Sequence, residues 1–299
     1  MHTAPDSPGV LAEILSRSGP LPATSPDDRE KLLPGHIYVA PPNRHLVLEP
    51  GAVRVTKGPR ENRFRPAIDP LMRSAAQVYG PAAIGVILTG SLDDGTAGLR
   101  VIKQLGGTAI VQDPSTALFP SMPASATRNV DVDYLVPLEQ IAPLLVELTS
   151  AEWATPERIA MPEPIDVEVR IAKEEDPQAA GLEAMGKPSI YACPECHGVL
   201  LQVRGGELLR FRCHAGHAYS INSLLAAIES GVDAAMEVAI RSLVESALLM
   251  DQMVSHVGNE HHHDVEGLRR AANQARAQST AIRVMQRERE ALVPQISLS

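Results

Sequence analysis

The sequence predicts an α/β chain: a mostly parallel sheet with helical crossovers, then a small cysteine-bearing module and a helical hairpin. Three observations predict it. Between Gly35 and about Leu148, short apolar runs alternate with helix-period segments, as strands do when helical crossovers join them. All three cysteines, Cys193, Cys196 and Cys213, fall within 21 residues. Beyond Ile221, apolar residues recur at spacings of three and four, the mark of a long amphipathic helix.

Each element follows from local chemistry. Ala83–Leu88 (AIGVIL) is an apolar run short enough for a strand buried on both faces. Thr96–Leu105 reads as a helix with Leu99 and Ile102 inward, and Gly106-Gly107 stops it before a parallel strand at Thr108–Val111. Val130–Val136 reads as a further strand and Leu138–Leu148 as an amphipathic helix. Upstream, His36–Ala40 and Leu46–Val55 read as a hairpin pair and Ile68–Val78 as a helix. Residues 151–188 carry nine acidic against four basic residues, which predicts a solvated linker with one short strand at Ile165–Ile171, where apolar residues alternate. A second, weaker helix is expected from about Val265 to Arg289. The expected segments are 1–149, an acidic linker over 150–188, a metal-binding module over 189–220 and a helical tail over 221–299.

Composition limits the function. The 299 residues carry a formal charge of −9, with 44% hydrophobic and only 3% aromatic residues. A nucleic-acid partner is not expected, because phosphate tracking needs basic surface and base stacking needs aromatic platforms. Neither a membrane span nor a signal peptide is legible, so no membrane insertion and a cytoplasmic location are expected.

Two segments carry chemistry. Cys193-Pro194-Glu195-Cys196 is followed after sixteen residues by Cys213-His214-Ala215-Gly216-His217. A Cys-x2-Cys knuckle converges two thiolates on one ion, and Cys213 with His217 completes a tetrahedral set, so one structural zinc ion in a zinc-ribbon-like module is expected. His214 and His197 compete for the fourth position; His217 is preferred because Gly216 permits a tight return. A closed set of four leaves no open position for water, and no organic cofactor is expected. The tract His261–His263 is read as a solvated loop.

The second segment is Thr89-Gly90-Ser91-Leu92-Asp93-Asp94-Gly95, between a buried strand and a helix N-terminus. In open parallel sheets that crevice binds ligands. Asp94 is well placed to orient an imidazole, while either Asp93 or Asp94 could instead cap the helix.

Read together with its flanks, this loop is one block of five in register: His36–Leu46, Arg65–Ser74, Gly85–Gly95, Gln112-Asp113-Pro114 and Ser121-Met122-Pro123. This order resembles the CheB family, the chemotaxis protein-glutamate methylesterases, over about residues 2–149. The arrangement around Cys193–His217 is similar to the C-terminal extension of some CheB-like proteins.

The resemblance implies an α/β, doubly wound, mostly parallel sheet, incomplete at its N-terminus in this sequence, and a serine hydrolase that removes methyl groups from glutamyl methyl esters of chemoreceptors, with glutamine deamidation in many members. It also implies a serine, histidine and aspartate triad. The aspartate carries over to Asp94, in the Thr-Gly-x-x-x-Asp-Gly block. The histidine carries over to His2, ahead of Pro5 and Val10–Arg17; by position alone it would be an exposed terminal residue. The family's Ala-Ser-Thr-Gly-Gly-like nucleophile turn precedes its histidine, and neither Ser-Thr-Gly-Gly nor Gly-x-Ser-x-Gly occurs in this sequence. Ser7, Ser16 and Ser91 lie in no elbow turn, and none is assigned. The chain is therefore expected to be a truncated methylesterase domain, a poor esterase with an unpaired strand edge. Methylated chemoreceptors are the expected partners, with a signalling partner for the helical tail. The competing reading is a non-enzymatic, zinc-stabilised signalling or adaptor protein.

Overall fold

The computed structural model describes residues 4–150, 161–204, 208–256 and 262–292. The chain forms two compact units, residues 1–225 and 226–299.

The first unit opens with helix α1 (Leu11–Ser18), tied to strand β1 (Ala23–Thr24) by the Ser16 hydroxyl, which donates to the Ala23 carbonyl at 2.9 Å and accepts its N–H at 2.7 Å. Then come β2 (Glu30–Lys31), β3 (Ile37–Tyr38), β4 (His45–Glu49) and β5 (Ala52–Thr56). Strand β3 pairs in parallel with β1, while β2, β5 and β4 form an antiparallel sheet in that order. The hairpin is thus β4–β5, not the expected pairing of His36–Ala40 with Leu46–Val55. Pro50 and Gly51 break the longer apolar run, and Gly51, at φ +73°, takes the left-handed turn position that glycine favours.

Helix α2 (Ile68–Tyr79) leads into β6 (Ile84–Ile87), α3 (Thr96–Gln104), β7 (Thr108–Gln112), α4 (Ser121–Asn129), β8 (Tyr134–Val136) and α5 (Leu138–Thr149). Strands β6, β7 and β8 form a parallel sheet in that order, with Ile84 opposite Thr108 and Ile110 opposite Tyr134. This is the α/β architecture that the alternating pattern predicts. Its core joins Met72 of α2, Ile87 of β6, Leu99 and Ile102 of α3, Val111 of β7 and Met122 of α4. Leu99 and Ile102 face inward as their spacing requires. Strand β6 departs from expectation on one point: Gly85 and Ile87 are buried, whereas Ile84 and Val86 are only partly so. Strand β8 is shorter than the seven-residue run suggests.

The acidic stretch is not a solvated linker throughout its described part. Residues Glu163–Ala172 form helix α6 instead of a strand. Val167 and Ile171 pack with Ala180, Leu182 and Met185, while Val169 and Ala172 pack with Val47. Two different neighbours take two faces of the helix, so its apolar residues alternate in sequence much as a strand's would.

Strands β9 (Gly186–Ala192), β10 (Val199–Val203), β11 (Arg210–Cys213) and β12 (Ala218–Ser220) form an antiparallel meander in the order β12-β11-β10-β9. Helix α7 (Ile221–His256) follows directly. In the second unit, α7 pairs antiparallel with α8 (His262–Leu292): Ala247, Ala272 and Ala275 pack together with Leu243 and Met250, and Gln286 donates to Glu237 at 2.9 Å. Small residues at the seam let the two backbones approach. Among the described residues, no helix is long and apolar enough to cross a membrane.

Candidate functional site

The loop from Thr89 to Gly95 leaves the C-terminal end of β6 and enters α3. Gly95 stands at the N-cap of α3 with φ +92°, and a Cβ there would lie 2.5 Å from Ile87 Cδ1 and 2.9 Å from Ile68 Cγ2. Only glycine can make that turn against β6 and α2, which explains the Asp-Gly pair. No side chain caps α3 through its N-cap residue. Asp94 serves a different helix: its Oδ2 accepts the Ile68 N–H, the first of α2, at 2.7 Å. Reciprocally, Asp69 of α2 accepts the Gly98 N–H of α3 at 2.7 Å through Oδ1. Each carboxylate satisfies an orphan donor at the other helix's N-terminus, where the helix dipole favours negative charge.

Both carboxylates are buried, Asp94 at 1% and Asp69 at 3% exposure. Asn62 bridges them, its Nδ2 donating to Asp94 Oδ1 and Asp69 Oδ2, each at 3.0 Å. Burial and the adjacent Asp94 charge push Asp69 up to about 7. Asp93 faces elsewhere and accepts from Ser220 Oγ at 2.6 Å and Asn222 Nδ2 at 3.1 Å. Burial raises its carboxyl above the usual range despite those two donors. The two adjacent aspartates therefore have distinct partners. His2 lies outside the described residues. His45 is fully buried, with Nε2 3.0 Å from the Pro59 carbonyl and Nδ1 accepting from Ala67 N–H, so it is a structural histidine. Beside the loop, a mostly apolar groove of about 290 Å³ is lined by Leu11, Leu15, Tyr38, Leu46, Ile68 and Leu71, among others.

The cysteines sit at one end of the meander. Cys193 and Cys196 occupy the β9–β10 turn; Cys213 and His217 bracket the β11–β12 turn. The four ligand atoms lie within 4.8 Å of one another. Cys196 Sγ is 3.5 Å from Cys213 Sγ, and His217 Nδ1 is 3.7 Å from Cys193 Sγ and 3.5 Å from Cys213 Sγ. A tetrahedral ion with metal–sulfur bonds of about 2.3 Å spaces its ligands about 3.8 Å apart, so this cluster fits one. His217 Nε2 lies 3.5 Å from Glu195 Oε2, the carboxylate contact that orients a ligating imidazole. Burial and the neighbouring Cys193 push the Cys213 thiol up to about 12; a cation would favour its thiolate. The structure thus brings together Cys193, Cys196, Cys213 and His217 as a group able to hold a metal ion. His214 packs instead against Gly198, where a Cβ would meet its ring at 2.2 Å.

Sequence reading missed the polar cluster that joins this module to the α/β sheet. Glu61 accepts from Arg73 Nη2 at 2.5 Å and Arg212 Nη2 at 2.8 Å; Glu168 accepts from Arg212 at 3.1 Å and also pairs with Arg210. The Glu61, Arg73, Glu168 and Arg212 side chains are at most 3% exposed. Attraction to the arginines outweighs burial, holding Glu61 well below the usual carboxylate range and Glu168 at about 2. Asn62 was also missed; its only signal is its place just ahead of the Arg65–Ser74 block.

Residues 1–145 match the family model described as CheB methylesterase. The chain is 39% identical over 145 residues to the Xanthomonas campestris pv. campestris protein named protein-glutamate methylesterase/protein-glutamine glutaminase 1, covering 47% of this chain and 40% of that protein. A Leptospira interrogans protein named for the same pair of activities is 42% identical over 148 residues, covering 49% of this chain and 77% of that protein. The crystal structure of the Thermotoga maritima CheB methylesterase catalytic domain is similar at 35% identity, over 49% of this chain and 80% of that one, with a TM-score of 0.47. With more than two thirds of a relative matched at that identity, the chain belongs to the CheB methylesterase family.

Proposed function

We propose that the α/β domain acts in the hydrolysis of glutamyl methyl esters on chemoreceptors: protein L-glutamate methyl ester and water give protein L-glutamate and methanol. Glutamine deamidation follows the same acyl chemistry. Asp94 is the orienting carboxylate and His2 the proton carrier. The observation that carries this reading is the buried Asp94, fixed by the Ile68 N–H and the Asn62 amide at the end of a parallel strand.

In such a triad a hydroxyl attacks the ester carbonyl, the imidazole takes the proton and returns it to the leaving methoxide, and the carboxylate holds the imidazole tautomer. Donors on both oxygens of Asp94 restrict its rotation, so an imidazole meeting it finds the acceptor already oriented. Within these 299 residues no serine lies in a family-type nucleophile turn. The part assigned to the described residues is the orienting carboxylate.

The Cys193, Cys196, Cys213 and His217 cluster is read as a structural zinc site. Bound there, zinc would cross-link the two turns of the meander and, with all four positions filled, would activate no water. No membrane insertion is involved, and the receptor's methylated segment is the proposed partner.

The test is methanol release from membranes carrying methylated chemoreceptors, using the polypeptide expressed from its native locus with whatever in-frame residues precede position 1. The expected result is release that falls about 10⁴-fold in Asp94→Asn, which mis-sets the tautomer. Release unchanged by Asp94→Asn would overturn the aspartate assignment. No release from the unaltered protein would favour the adaptor reading.

A further inference from the structure

We propose that Asn62 is the positioning residue of the Asp94 site and that the Cys3His module sets its orientation. The proposal rests on the reading of Asp94 as the orienting carboxylate and extends it to what holds that carboxylate in place.

Asn62 is 4% exposed, and its φ of +49° is a left-handed conformation that asparagine tolerates better than most residues. Its side chain makes four hydrogen bonds. Nδ2 donates to Asp94 and Asp69; Oδ1 accepts from Ser220 N at 2.9 Å and Ser223 Oγ at 3.0 Å. That uses both amide protons and both lone pairs. A flipped amide would turn its oxygen toward two carboxylates and its protons toward an N–H, losing the bonds at both ends. The arrangement therefore has one orientation, and the donors that select it come from Ser220 and Ser223.

Ser220 belongs to the module, and Ser223 to the first turn of α7, which continues directly from it. His217 is followed at once by β12, where the Ala218 carbonyl accepts the Asn62 N–H at 2.8 Å. Ser220 closes β12 and caps α7, its Oγ accepting the Ser223 N–H at 3.0 Å while donating to Asp93. Only Ala218 and Tyr219 separate the metal-ligating histidine from the residue that orients Asn62. An ion that fixes His217 fixes the start of β12, and with it the two donors to Asn62 Oδ1. When β12 moves, the Asn62 amide loses its far-side partners and Asp94 loses a fixed donor. The site reads whether the module is folded, even though no module ligand touches a reacting atom.

The experiment uses the full chain, with and without stoichiometric Zn²⁺ after chelator stripping. Its readouts are hydrogen exchange and the carboxyl ¹³C signals of Asp94 and Asp69 at fixed pH. Stripping should speed exchange at the Ile68 and Gly98 amides about thirtyfold, two hydrogen bonds of ordinary net strength, and shift both carboxyl signals. Ile110 and Val111 in β7 should keep their protection. Ser223→Ala in the loaded protein should speed the same two amides about fivefold, one bond's worth. Asn62→Asp keeps the shape and removes the donor, so it should shift both carboxyl signals; if it does not fold, Ser223→Ala decides. Unchanged Ile68, Gly98 and carboxyl signals while the Cys213 and Gly216 amides lose protection would overturn the proposal, as would a silent Ser223→Ala. If the chain binds no zinc, the proposal's metal control is overturned. If Asp94→Asn leaves methanol release unchanged while these couplings are seen, the assignment of Asp94 as orienting carboxylate fails and the structural link stands.

Discussion

Arg212→Met tests the buried charge cluster that fastens the module to the sheet. The Arg212 side chain is fully buried; it gives one hydrogen bond to Glu61 at 2.8 Å, one to Glu168 at 3.1 Å and one to the Gly216 carbonyl at 2.7 Å. Methionine keeps the apolar stem and removes the charge. Glu61 then retains Arg73, and Glu168 retains Arg210. Removing one partner of a buried pair costs about 3–5 kcal/mol, and the residual pairing places this variant near 3 kcal/mol. That is a large share of the roughly 5–15 kcal/mol that stabilises a typical domain. With a slope of about 3 kcal/mol per molar in urea, the midpoint should fall by about 1 M. In a double-mutant cycle, Glu61→Gln should cost less in the Arg212→Met background than alone, because its strongest remote partner is already gone. Circular dichroism and zinc release follow the transition. A loss under about 1 kcal/mol, or strict additivity, would refute the view that these charges hold the module in place.

Further outcomes follow from the same geometry. Purified protein should bind about one equivalent of zinc and Cys196→Ser should lose it, with the meander exchanging amide hydrogens before the parallel sheet does; metal analysis and hydrogen exchange check this. Glu61 and Glu168 titrate lower in the folded than in the unfolded chain, so their stabilisation is present above the ordinary glutamate pKa of 4.5 and is lost as pH falls below it, through about 2 for Glu168. Asp69 has the opposite sign: favoured in its protonated form, it withdraws stability as pH rises from 3.8 through about 7. Urea midpoints between pH 2 and 8 should show a steep acid limb and a shallower decline toward neutrality. Gly95→Ala should destabilise by about 1–3 kcal/mol, because its Cβ meets Ile87 and Ile68 and its φ is positive; thermal unfolding measures it.

How far the sequence could be read depends on how local the deciding interactions are. The β6–α3–β7 segment was legible because an apolar run, a helix-period stripe and Gly106-Gly107 are each complete within a dozen residues. The Cys3His group was legible because its members come in two short pairs. Helix α6 was not: Val167 and Ile171 face one cluster and Val169 another, so tertiary contacts on two faces imitate strand alternation. Nor could the acidic count reveal that Glu168 is buried, since its neutralising partners Arg73, Arg210 and Arg212 come from α2 and β11. Glu61 and Arg212, 151 positions apart, leave no pattern that periodicity can detect. The motif block singles out Asp94, but which aspartate caps a helix was open in sequence; the Ile68 N–H on Asp94 and Ser220 on Asp93 show their partners.

The functional reading depends on an imidazole N–H of His2 reaching the Asp94 carboxylate. Proton NMR of protein labelled with ¹⁵N-histidine tests this directly. The account predicts a strongly deshielded imidazole N–H assigned to His2 that disappears in Asp94→Asn and persists in Asp93→Asn. A His2 ring with the signals of a free, solvent-exposed imidazole, unaffected by either substitution, would contradict it.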